Sequence, residues 1–208
     1  MAPVDPGQHT FHSEILHDVV QEAVGFFVNT PILPLPPATK FGGTGVYALY
    51  HTSPHGLYWR LGELYHRNRH VPIYVGQASS SGVRQGLSES TDTSNHQLWG
   101  RLNEHARSIW QAGNLSLEDF RCRFVLMLRT EHGLIRTVET ELIRIYTPLW
   151  NSYVDGFGIH DPGKGRRNQE ISEWDSIHPG RSFVSKMESN SQPTAPILER
   201  IRAVLENL

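Results

Sequence analysis

Gly42-Gly43-Thr44-Gly45-Val46-Tyr47-Ala48-Leu49-Tyr50 and, further on, Ile73-Tyr74-Val75-Gly76 decide how this chain is read. In each, glycines stand next to a short apolar run rich in β-branched and aromatic residues, which is a strand pattern. The intervening segment, 51–72, contains Leu57 to Arg69, a helical insert that lets the two strands return antiparallel. Toward the N-terminus, Ser13 to Val28 carries apolar residues at three- and four-residue steps and reads as an amphipathic helix. It runs into Thr30–Lys40, where Pro31, Pro34, Pro36 and Pro37 forbid a helix and impose an extended connector. Toward the C-terminus, Thr91 to Gly113 reads as a helix with Leu98, Leu102, Ala106 and Ile109 as its buried stripe. Ser94 and Gln97 match a capping box at its start. Arg121 to Met127 gives a third strand, and Leu134 to Tyr146 a helix that stops before Pro148. Asn151 to Arg181 shows little periodicity and reads as long surface loops with one short helix. A linker, Lys186 to Pro196, leads to a last helix, Ile197 to Leu208.

The expected fold class is therefore α/β: a small, mainly antiparallel three-stranded sheet flanked by helices. The organisation divides into an N-terminal helix and proline-rich connector (1–40), a core (41–155) with its insert at 51–72, and a loop-rich segment with a final helix (156–208).

The 208 residues can bury a sizeable core, and 38% hydrophobic with 19% charged content does not suggest disorder. The formal net charge of -2 argues mildly against a nucleic-acid partner, although local clusters, not the total, decide contact. Cys122 is the lone cysteine, so neither an intramolecular disulfide nor a cysteine-based zinc site is expected. The 12 histidines form no HExxH pattern, which removes the zinc-hydrolase reading. No signal-peptide pattern and no stretch long and apolar enough for a membrane are seen, so a cytoplasmic, bacterial protein with no membrane partner is expected.

Gly45-Val46-Tyr47 and Tyr74-Val75-Gly76 resemble the two half-motifs of the GIY-YIG nucleases. The family then places an arginine on a helix, a glutamate on a later helix and an asparagine at the end of the core; Arg101, Glu139 and Asn151 occupy that order. The chain is most similar to the type II restriction endonucleases of this superfamily that recognise CCGCGG. The carrying features are the long insert between the half-motifs, His105 one turn after Arg101, and the glycine-rich segment Val154 to Arg166. Many relatives have lysine directly after the second half-motif, where this chain has Gln77.

The resemblance implies a Mg²⁺-dependent endonuclease that cuts double-stranded DNA. Glu139 would be the metal ligand, Tyr47 the general base, and Tyr74 a hydrogen-bonding partner of the site or the phosphate. Arg101, His105 and Asn151 complete the implied catalytic set. Helix geometry alone leaves Glu139 and Glu141 equivalent, since at 100° per residue they flank the Val138–Leu142–Ile145 stripe on opposite sides. Arginine offers paired donors to a phosphate, and histidine takes a proton near neutral pH. A free tyrosine, with its pKa near 10, is a poor base unless its phenolate is stabilised. Lys164, Arg166 and Arg167, in the glycine-rich loop, and Arg67 and Arg69, from the insert, are candidate DNA contacts.

A palindrome read by one active site per chain implies a homodimer. The N-terminal arm is expected either to wrap a partner or the DNA, or to cap its own core. The rival readings are a homing or structure-specific repair nuclease and a non-catalytic DNA-binding protein on the same fold. The first usually carries a further large domain. The second would be expected to have lost Tyr47, Arg101 or Glu139, all of which are present.

Overall fold

The computed structural model describes residues 4–79, 95–159, 170–187 and 191–208. Helix α1 (Glu14–Asn29) starts at Ser13, whose hydroxyl accepts from the Leu16 amide at 3.3 Å, and it ends where Pro31 blocks another turn. Then follow β1 (Leu33–Pro34), β2 (Gly45–His51), α2 (Trp59–His66), β3 (Tyr74–Ala78), α3 (Gln97–Gln111) and β4 (Phe120–Leu126). Helices α4 (Ile135–Tyr146), α5 (Leu149–Ser152), α6 (Glu173–Ile177) and α7 (Thr194–Glu206) complete the chain.

The sheet is antiparallel, in the order β1–β4–β2–β3. The expected α/β class holds, with one strand more than expected. The prolines that exclude a helix at 31–37 still allow two residues of the connector to pair at the edge, opposite Arg121 and Cys122. Two layers of helices bury the sheet. On one face Tyr47, Leu49, Tyr74, Phe120 and Cys122 pack with residues of α2, α3, α5, α6 and α7. On the other, Val46, Ala48, Tyr50, Val75 and Val125 pack with α1 and α4. α1 caps its own core through Val20, Val24 and Phe27, while Phe11, Ile15 and Phe26 stay exposed.

Two local expectations are corrected. α3 begins at Gln97, so Gln97 is not the third residue of a capping box, and Ser94 lies outside the described residues. Asn95 takes the start instead: its Oδ1 accepts from the Gln97 amide at 3.0 Å. The segment 151–181 is not a surface loop throughout. Val154, Phe157, Ile171, Trp174, Ile177 and Arg181 are buried, and α6 packs against α7. Its helices are too short to show a period, so its core contribution is carried by scattered aromatics.

Candidate active site

Strand pairing brings the two tyrosines onto one face. Tyr47 on β2 lies opposite Gly76, and Tyr74 on β3 lies opposite Leu49, so the rings are diagonal neighbours with centroids 6.3 Å apart. Glycine is required between them: a Cβ on Gly76 would lie 2.5 Å from the Tyr47 hydroxyl oxygen. Gly45 is equally constrained, because its Cβ would meet the Val125 carbonyl at 1.9 Å. The β2 turn also anchors α3. The Leu98 amide donates to the Gly43 carbonyl at 3.2 Å, which sets the position of the helix carrying Arg101 and His105.

His105 is fully buried and lies 2.6 Å, Nε2 to oxygen, from the Tyr47 hydroxyl. With Nε2 unprotonated, the phenol donates and the imidazole accepts. The histidine ring stacks on Phe157, with centroids 4.7 Å apart and planes at 19°. Arg101, one turn earlier, reaches outward and pairs with Glu104 at 3.2 Å.

Because β3 is a sheet edge, side chains from both layers meet at its rim. Tyr47, Tyr74 and Arg101 from one layer and Glu139 from α4 in the other line a single cleft of about 600 Å³. Gln77, Gln97 and Glu104 share it. Glu141 does not. It accepts from Gln21 of α1 at 2.7 Å and from Arg144 at 2.6 and 2.8 Å, and these bonds pull its carboxyl down to about 2. Helix packing thus separates two glutamates that helical arithmetic leaves equivalent. A second groove, of about 500 Å³, lies between α2, the α4–α5 junction and α7; it is lined largely by apolar residues and holds no acidic side chain.

Burial raises the Tyr47 phenol well above its usual range; the neighbouring Tyr74 adds to this, Arg101 opposes it and Glu139 raises it further. Tyr74 is raised too, chiefly by burial, against the pull of Arg101. The Glu139 carboxyl is likewise raised by burial, with Arg136 and Arg101 acting the other way. A cation in the cleft would act against burial on all three groups by favouring their ionised forms. Among the described residues no group of three or more histidine, cysteine, aspartate or glutamate side chains could hold a metal. Of the two carboxylates on this open cleft, Glu104 is paired with Arg101. Glu139, with so few protein ligands, fits a cation such as Mg²⁺, which takes oxygen ligands and keeps several waters, better than a zinc cage.

Asn151 lies outside the cleft and acts on its wall. Its Oδ1 accepts from the Val75 amide and its Nδ2 donates to the Val75 carbonyl, both at 2.8 Å. These backbone groups lie on the outer edge of β3, beyond which no strand pairs among the described residues. Of the candidate DNA contacts, Arg67 and Arg69 are exposed after α2 and do not line the cleft, and Arg69 donates to the Leu208 carbonyl at 3.0 Å. Lys164, Arg166 and Arg167 lie outside the described residues. Sequence reasoning missed Gln97 and Glu104, whose only signal was a shared helix face with Arg101. It also missed Phe157, which sits in the glycine-rich segment Val154 to Arg166, where the glycines and basic residues carry the signal.

No helix among the described residues is long and apolar enough to cross a membrane. No curated protein matches the chain. The family model of the Eco29kI GIY-YIG domain matches residues 39–205. The tyrosine pair, the arginine and the glutamate that meet at the β3 rim all fall within that match, and the chain belongs to this GIY-YIG family of restriction endonucleases.

Proposed function

We propose that the protein is a type II restriction endonuclease that hydrolyses phosphodiester bonds of double-stranded DNA at a short palindrome, CCGCGG, as a Mg²⁺-dependent homodimer. The observation that carries this reading is the meeting of Tyr47, Tyr74, Arg101 and Glu139 in one cleft, with His105 directly behind Tyr47. Glu139 would hold the magnesium ion, which supplies Lewis-acid stabilisation of the phosphate oxygens.

The remaining work falls to the side chains. Arg101 presents planar paired donors to the phosphate at the cleft wall. Tyr74 positions the same group through its hydroxyl. Tyr47, kept protonated by burial, cannot accept a proton until it gives up its own, and His105 Nε2 is placed to take that proton. The attacking water then passes a proton to the Tyr47 oxygen while its own oxygen bonds to phosphorus. The bond to the leaving deoxyribose oxygen breaks, and that oxygen is protonated from solvent. The net transfer is one proton from water to His105, relayed by Tyr47.

The site specificity, the dimer and the metal rest on the likeness to the CCGCGG branch and on the symmetry of a palindrome. The test is digestion of DNA of known sequence with and without Mg²⁺, followed by sequencing of the ends. Fragments ending at a single palindromic sequence, formed only with the metal, are expected. Ends at no common sequence would favour a structure-specific nuclease, and no cleavage at all would refute the enzymatic reading.

A further inference from the structure

Arg181 is 2% exposed, and each of its guanidinium N–H groups is used. Nε and Nη2 grip the Asp175 carboxylate at 2.6 and 2.5 Å. Nη2 also donates to the Gly156 carbonyl at 3.0 Å, and Nη1 to the carbonyls of Phe157 at 3.2 Å and Ile159 at 2.7 Å. The guanidinium lies over the rings of Trp174 and Phe183, 4.8 Å from each. A buried charge is costly unless paired; Asp175 supplies the countercharge, and the three remaining N–H groups all go to one short turn, Gly156 to Ile159.

That turn packs behind the active site, against Tyr74 and His105. Phe157 is fully buried, stacks on His105 and meets Tyr74 edge-on at 4.9 Å. Gly158 presses on Tyr74: a Cβ there would lie 2.6 Å from the tyrosine hydroxyl oxygen. The N-cap of α6 ties in as well, since Ser172 bonds Asp175 at 2.8 Å and contacts Gly156 so closely that a Cβ there would clash at 2.1 Å.

We propose that Arg181 and Asp175 are positioning residues of the nuclease site: they hold the 156–159 turn so that Phe157 fixes the His105 ring and Gly158 fixes the Tyr74 hydroxyl. The site is therefore completed by the segment after the core and is not contained within the two half-motifs. The inference rests on the nuclease reading above and extends it to residues that touch neither DNA nor metal.

The experiment pairs a structural readout in the free protein with kinetics. In Arg181→Lys the NMR signals of the His105 ring protons, shielded by the Phe157 face, are expected to move downfield while the amide signals of β2 and β4 stay in place. With Mg²⁺ and duplex DNA, kcat is expected to fall on the order of 10- to 100-fold with KM nearly unchanged, as when a catalytic group is misplaced by a fraction of an ångström. Should Arg181→Lys fail to fold, Gly158→Ala takes its place, because the added methyl meets only the tip of Tyr74; the same drop in kcat at unchanged melting temperature is expected. Wild-type kcat in folded Gly158→Ala, or unmoved His105 signals in folded Arg181→Lys, overturns the proposal. A rise in KM without loss of kcat also overturns it, because the turn would then serve DNA binding. A wild-type protein that never cuts DNA, yet shows the His105 shift in Arg181→Lys, refutes the nuclease reading and leaves the turn's hold on His105 standing.

Discussion

Tyr47→Phe removes one oxygen from the most buried point of the site, and its two consequences can be sized separately. The ring keeps its packing, since Tyr47 is fully enclosed among Tyr74, His105 and the strand neighbours. What goes is the 2.6 Å bond to His105 Nε2. Losing one partner of a buried hydrogen bond costs about 1–3 kcal/mol. In a chain of this size that lowers the melting temperature by about 2–4 °C per kcal/mol. The catalytic loss should be far larger, roughly 10²–10⁴-fold in kcat, because the proposed relay from water to His105 would be cut at its middle. The combination with His105→Ala should cost little more than either change alone, since both remove the same step. The assay is single-turnover cleavage of a duplex under saturating enzyme, with thermal unfolding followed on the same preparations. A folded Tyr47→Phe enzyme cutting within a few-fold of wild type would show that the hydroxyl is a structural bond only and that the base lies elsewhere.

Glu139→Gln should abolish cleavage while DNA binding, read by fluorescence anisotropy, persists; Glu141→Gln, at the α1 contact, should keep wild-type cleavage. Burial raises the Glu139 carboxyl above its unfolded value, so the folded state binds the extra proton and stability falls as pH rises between the two values. Glu139→Gln should therefore melt no lower than wild type at pH 7–8, and a clear drop would contradict the electrostatic account. His178, bonded to Tyr58 and Asn114, is pushed by burial down to about 3, and His51 to about 4. Both fold neutral, so their contribution is complete above the unfolded value of 6.5 and is lost toward acid, at about 1.4 kcal/mol per pH unit for each. Urea unfolding between pH 7 and 4.5 should show this slope, and a flat profile would rule it out. Asn151→Asp should lose both stability and kcat, since aspartate accepts the Val75 amide but cannot donate to its carbonyl; an unchanged melting curve would show that the edge clamp contributes nothing.

The strands and the tyrosine pair were legible because their signals are local. Glycine beside a β-branched and aromatic run reads as a turn and a strand without any tertiary knowledge. The buried stripe of α3 was legible for the same reason, and Leu98, Leu102, Ala106 and Ile109 are all in the core. Glu139 could be chosen from Glu141 only by resemblance, because the difference lies in the other helix: Gln21, 120 positions away, occupies Glu141. The Pro31–Pro37 connector hid β1, whose pairing depends on β4 and not on its own propensity. The misreading of 151–181 has a similar cause. The described parts of that segment are held by one buried arginine and a few aromatics, an arrangement that leaves no period in the sequence.

As proposed, the β3-rim cleft cuts both strands of a palindrome using Glu139-bound Mg²⁺. The most direct measurement is a time course on a supercoiled plasmid carrying one CCGCGG site, run with wild type and Glu139→Gln, with Mg²⁺ and with chelator. That reading requires linear product from wild type in Mg²⁺ alone, no cleavage under chelator, and none from Glu139→Gln in either condition. Accumulation of nicked circles without linear DNA, or linear product from folded Glu139→Gln, would contradict it.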